Sequence, residues 1–119
     1  MGEFPEFMRN PVNRIATETQ YRKGIEGYLY DGVDDSQMAF WTDRNGGISA
    51  EHIHPYDEYL VVVEGQYTVI IGKKQIPIGV GGEYLIPKGT LHGGESLPGT
   101  RTIHTFGGKR AHRASQNIE

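Results

Sequence analysis

The chain has 119 residues, a formal net charge of -3, no cysteine, and a composition with Gly 17 and Pro 6. That length suits one domain around one core, and the missing cysteine excludes disulfides and thiol chemistry, so any metal must be held by nitrogen and oxygen. No apolar run is long enough to span a membrane, no opening segment reads as a signal peptide, and the basic residues form no stripe for nucleic acid. The expected partners are therefore small molecules, with neither nucleic acid nor membrane, in a cytoplasmic location. Short apolar runs separated by turn formers, without a helical period, predict an all-β domain.

In chain order, residues 1–7 (MGEFPEF) read as a cloning leader ahead of Met8, and residues 8–24 as a polar N-terminal arm, either loop or short edge strand. Ile25 to Tyr30 and Gln37 to Thr42 are rich in aromatic and β-favouring residues and flank the turn-forming Asp31–Asp35. The next reversal, Asp43 to Gly47, contains Asn45-Gly46.

The stretch from Gly46 to Gly65, GGISAEHIHPYDEYLVVVEG, has the pattern G-x5-H-x-H-x3-E-x6-G. His52 and His54 lie two apart, so on a strand both imidazoles leave the same face. Pro55-Tyr56-Asp57 breaks that strand and Glu58 opens the next, which runs to Val63 and can turn its carboxylate back toward the histidines. Gly65 is expected to make a tight hairpin into Gln66 to Ile71. If Glu58 points inward, Leu60 and Val62 follow it, while Tyr59, Val61 and Val63 face outward and need cover. The N-terminal segment or a second subunit would supply that cover, and a homodimer is expected.

Gln75 to Ile78 holds Pro77, which cannot donate to a ladder, so this strand belongs at an edge. Glu83 to Ile86 leads into G-x5-P-x-G-x2-H, from Gly81 through Pro87 and Gly89 to His92. Ile86-Pro87-Lys88-Gly89 predicts a type I turn that carries His92 back over the same face. Leu97-Pro98-Gly99-Thr100 predicts a type II turn into a last strand, Thr100 to Phe106. The tail, residues 108–119, is expected to be frayed or folded against a partner, with Lys109, Arg110, His112 and Arg113 in solvent.

Together the two motifs resemble the paired signature of the cupin superfamily across residues 25–107, with Ser96 where an asparagine is usual. The resemblance implies a jelly roll, the double-stranded β-helix barrel. It also implies one divalent transition metal ion (iron, manganese, nickel, copper or zinc) on His52, His54, Glu58 and His92, with positions left open for a guest. Such a site should lose metal as pH falls through about 6, because coordination needs neutral imidazole. Leu60 and Val62 are the expected cavity wall, with either Met38 and Phe40 or Ala39 and Trp41.

The three-His, one-Glu set is similar to that of cupin dioxygenases such as acireductone and quercetin dioxygenases. It points to a dioxygenase-type oxidoreductase acting on a small organic molecule. Non-redox isomerase, decarboxylase or lyase chemistry is the alternative, as is a non-catalytic small-ligand-binding or sensing module. His104 is the catalytic candidate, as proton shuttle or substrate hydrogen-bonding group, against the plainer reading of a histidine capped within the sheet. Tyr56 is either a gate over the pocket or a cover for a hairpin.

Overall fold

Two-residue periodicity decides which face of each strand turns inward. In β4 (Glu58–Glu64), Glu58, Leu60 and Val62 are buried while Tyr59 is exposed. The same parity places Ala39, Trp41 and Asp43 of β2 (Gln37–Asp43) inside, together with Thr100, Thr102, His104 and Phe106 of β9 (Thr100–Phe106). The remaining strands are β1 (Ile25–Asp31), β3 (Gly47–Ile48), β5 (Tyr67–Ile71), β6 (Lys74–Ile78), β7 (Glu83–Ile86) and β8 (Gly93–Ser96). A computed structural model describes residues 3–16 and 25–114.

All pairings between these strands are antiparallel. They form a five-stranded sheet in the order β1-β2-β9-β4-β7 and a four-stranded sheet in the order β3-β8-β5-β6, which is the jelly-roll arrangement. β6 lies at a sheet edge, as Pro77 requires. The Pro98-Gly99 turn also forms as expected, with the Thr100 amide donating to the Leu97 carbonyl at 3.2 Å and Gly99 at φ 82°. Among the described residues the helical pieces are short 3-10 turns, Glu6–Arg9 and Pro11–Asn13, and no helix is long and apolar enough to cross a membrane.

Several local expectations need correction. Gly65 does not make a hairpin: β4 pairs with β7 and β9, whereas β5 belongs to the opposite sheet, so the chain crosses between sheets there. The crossing needs a positive φ of 80° at Gly65, and its close approach to Thr100 leaves no room for a side chain. His52 and His54 sit on a connecting segment rather than a strand, tied down by a single antiparallel bridge between His52 and His92. The turn before His92 closes one residue late. The Thr90 amide donates to the Pro87 carbonyl at 3.3 Å, and Gly89, at φ 79°, takes the third position that favours glycine in type II. Gly93–Ser96 forms β8, a strand the glycine-rich sequence conceals.

Two apolar clusters fill the interior. Ile15, Leu29, Ala39, Trp41, Phe106 and Ala111 form one; Leu60, Val62, Val69, Ile78 and Ile86 form the other. On the outer face of the large sheet the N-terminal segment covers one side. Phe4 is buried edge-to-face on Phe40 at 5.7 Å and lies under the Arg101 guanidinium at 5.0 Å. The segment that precedes residue 8 thus contributes packing that the sequence argument set aside.

The tail through residue 114 packs on its own barrel rather than extending into solvent. Arg113 donates to Asp31 Oδ2 at 2.6 Å, to the Leu29 carbonyl at 2.8 Å and to Asn13 Oδ1 at 3.0 Å, and Ile15 bridges to Arg113. Residues 17–24 and 115–119, which hold the rest of the predicted arm and tail, lie outside the described residues.

Gly65→Ala should destabilise the fold by about 1–3 kcal/mol, because it strains the backbone and drives Cβ into Thr100. Denaturant unfolding measures this, and an unchanged midpoint would contradict the crossing described.

Candidate metal centre

A carboxylate carried into a protein interior needs compensating partners. Glu58 opens β4 on its inward face and is 5 % exposed. Its Oε2 accepts a hydrogen bond from His104 Nδ1 at 2.8 Å. Its Oε1 faces His92 Nε2 at 3.3 Å and His54 Nε2 at 3.5 Å. The potential donor atoms of His52, His54, Glu58 and His92 all lie within 4.8 Å of one another. The four residues singled out by motif spacing therefore converge on one point, although they come from a loop, a strand start and the residue before β8.

Backbone carbonyls fix the imidazoles. His52 Nδ1 donates to the Ala50 carbonyl at 2.8 Å and His92 Nδ1 to the Thr90 carbonyl at 2.9 Å, so in both neutral rings Nε2 keeps the lone pair. At His92 that lone pair confronts a carboxylate oxygen at 3.3 Å, and neither His92 Nε2 nor Glu58 Oε1 has a hydrogen-bond partner despite burial. Two acceptors held face to face in a buried site repel unless a cation or proton lies between them. Three imidazole nitrogens and one carboxylate oxygen are the donor set for a borderline divalent ion, and the residues fit one.

The titration behaviour follows from the same contacts. Burial pushes His52 down to about 4, so its ring is neutral at ordinary pH. Burial acts to lower His92 as well, but the Glu58 carboxylate and the Thr90 carbonyl outweigh it and raise His92 above its usual value. Burial acts to raise Glu58; the hydrogen bond from His104 and the imidazoles of His54 and His92 prevail and hold its carboxyl well below the normal range.

Beside the cluster lies a cavity of about 50 Å³. His52, Glu58 and His104 reach it, and Trp41, Tyr67 and Phe106 make its aromatic wall. Strand parity thus selects Ala39 and Trp41 as the inward pair of β2, and Trp41 reaches the wall. Leu60 and Val62 are inward but do not line it, because they pack into the cluster with Val69, Ile78 and Ile86. Their register explains this: Leu60 is opposite His104 and Val62 opposite Thr102, one and two steps along β9 from Phe106, which faces Glu58.

His104 is no backbone-capped sheet residue. It is buried, bonded to Glu58, and edge-on to both Trp41 and Tyr67. Tyr56 stacks on His54 at 4.9 Å with an interplanar angle of 11°, backing the ring rather than gating the cavity.

Sequence reasoning missed two sets of site residues. Ser96, Thr100 and Thr102 add hydroxyls to the lining, and the last two could have been found by extending strand alternation from His104. Arg110 also lines the cavity, and no local signal marks it, since its position depends on how the tail doubles back.

The Cupin domain family matches residues 39–104, more than half of the chain, and the protein belongs to that family. Among solved structures, KdgF from Halomonas sp. is similar at 21% identity with a TM-score of 0.65, covering 82% of this chain and 86% of that one. An RmlC-like cupin from Shewanella frigidimarina aligns at 16% identity and TM-score 0.69, covering 98% and 94%. The polyketide cyclase RemF from Streptomyces resistomycificus aligns at 18% identity and TM-score 0.69, covering 93% and 81%. At these identities the likeness establishes the shared fold. No curated protein matches the chain in sequence.

Proposed function

We propose that the protein is a metal-dependent enzyme acting on a small organic molecule held in the barrel, with His52, His54, Glu58 and His92 as ligands to one divalent transition metal ion. The observation that carries this reading is the opposition of His92 Nε2 and Glu58 Oε1 at 3.3 Å, buried and without hydrogen-bond partners, beside a cavity. When bound, the ion supplies Lewis-acid polarisation of a substrate oxygen. His104 is the proposed proton-transferring residue. Its Nδ1–H is committed to the acceptor-only carboxylate of Glu58, which leaves Nε2 as the base within a side chain that lines the cavity. The aromatic wall excludes water around the reacting group.

This placement of a proton-moving group favours non-redox chemistry of the isomerase, lyase or decarboxylase type. Dioxygenation is the second reading, supported by the three-His, one-Glu donor set. A purely ligand-binding role is the third reading.

A homodimer is proposed as well. Met38, Tyr59 and Leu85 stay exposed on the outer face of the large sheet, on the side that Phe4 does not reach. A second copy would cover them, and Leu85→Lys should then shift the protein from dimer to monomer in light scattering. A wild-type monomer at micromolar concentration would refute the pairing.

His92→Ala should abolish metal retention while leaving the circular dichroism of the barrel intact; a full metal complement in that variant would overturn the ligand assignment. Coordination needs neutral imidazole, and His92 is raised above its usual value while His52 is pushed down to about 4. The apparent metal affinity should therefore begin to weaken on acidification at a higher pH than the titration of His52, near 4, would set alone, as competition titrations across pH would show. Turnover under anaerobic conditions, reduced on the order of 10²- to 10⁴-fold in His104→Gln, is expected of the proton-transfer reading. Obligatory oxygen consumption would establish dioxygenation in its place.

A further inference from the structure

Trp41 and Thr102 are directly opposite each other in the β2–β9 pairing, both line the cavity, and both are buried, at 6 % and 4 % exposure. Neither has its polar group satisfied by the described residues. Trp41 Nε1, which can only donate, has no hydrogen-bond partner. Its edge-on contact with the His104 ring, at 5.7 Å, is a weak substitute for one. The Thr102 hydroxyl makes no hydrogen bond among the described residues either. Thr100, two positions before it on the same face, shows the contrast: its hydroxyl accepts from the Gln66 amide and reaches the carbonyls of Gln66 and Leu97.

An idle hydroxyl in that place costs stability. Leaving a buried donor or acceptor unmade is less favourable than burying an apolar group of the same shape, and valine is that group for threonine. Val62, the partner of Thr102 on β4, is such a residue in the same layer. Two unmade bonds side by side, on a wall built from the rings of Trp41, Tyr67 and Phe106, mark a place for a polar atom of a ligand.

His104, the next inward residue of β9, narrows what that atom is. With Nδ1–H given to Glu58, its Nε2 is an acceptor. The row therefore runs from a donor at Trp41, through a hydroxyl at Thr102, to an acceptor at His104. A carboxylate would set its lone pairs against Nε2, and an ammonium would set its protons against the indole N–H. A hydroxyl accepts and donates at once and meets both ends of the row.

We propose that Trp41 Nε1–H and the Thr102 hydroxyl bind a hydroxyl group of the ligand, with its proton turned toward His104 Nε2, so that the ligand class is a small hydroxycarbonyl compound. The share of His104, and a carbonyl oxygen directed to the four metal-binding residues, rest on the reading above; the contact with Trp41 and Thr102 does not.

Because Trp41 is the single tryptophan of the chain, one indole signal in a nitrogen–proton correlation spectrum of labelled protein reports on this contact without any turnover. Zinc-loaded protein is titrated with hydroxyacetone, with butanone, which carries a methyl group in place of the hydroxyl, and with aminoacetone. Hydroxyacetone should move the indole proton downfield and bind at least about tenfold more tightly than either analogue. Thr102→Val should weaken hydroxyacetone about tenfold, leave butanone within about threefold, and keep or raise the denaturation midpoint, since an unmade bond is removed from the interior. Equal binding of hydroxyacetone and butanone by the wild type, an indole signal that hydroxyacetone does not move, or a lowered midpoint in Thr102→Val would each overturn the assignment.

Repeating the titration on metal-free His92→Ala separates the two readings. An indole shift that still depends on Thr102 there upholds the contact even if metal analysis rejects the ion. Metal-replete wild type without any shift rejects the contact alone.

Discussion

A negative charge buried at the start of β4 is the constraint around which the site is organised. Glu58 is buried and its carboxyl is held well below the normal range, a condition that demands compensating partners. One oxygen is held by His104 and the other is left toward His54 and His92. Each of those rings is in turn positioned from outside: His92 by the Thr90 carbonyl, and His54 by the Tyr56 ring stacked against it. The His52–His92 bridge locks the two histidine segments to each other. Removing any of these supports leaves a charge or a lone pair without compensation.

The rest of the barrel can be read as what makes such a cluster tolerable. His104 lies in register between Ala39 on β2 and Leu60 on β4, one member from each apolar cluster. The polar centre is therefore bounded on both sides by close-packed hydrocarbon. That separation lets the site be specialised while the fold is carried by Leu60, Val69 and Ile86 on one flank and Leu29, Ala39 and Trp41 on the other.

Much of this was legible before any coordinates, and the reasons differ by element. β4 emerged with the parity that an inward Glu58 requires, Leu60 and Val62 following it inside. Pro77 marked its own edge strand because a missing amide proton is a local fact. The convergence of His52, His54, Glu58 and His92 followed from motif spacing.

What failed were statements about pairing over distance. Gly65 correctly announced a positive φ, but a left-handed residue serves a crossing between sheets as readily as a hairpin, and only the partner strands decide. β8 escaped notice because Gly93 and Gly94 lack the side chains that advertise a strand, and Gly94 must be bare to admit the Tyr67 ring. Arg110 was unreadable for the same kind of reason: Gln37, which holds its backbone, is more than seventy positions away.

The order of the large sheet has a consequence for how the chain reaches its final shape. β9, made after both β2 and β4, is the strand wedged between them, and those two have no direct pairing with each other. A nascent polypeptide can form β1 with β2 and begin β4, but the halves stay apart until residues 100–106 emerge from the ribosome. Assembly is therefore governed by long-range closure, and chains cut short before β9 would display the unpaired flanks of β2 and β4 to other molecules.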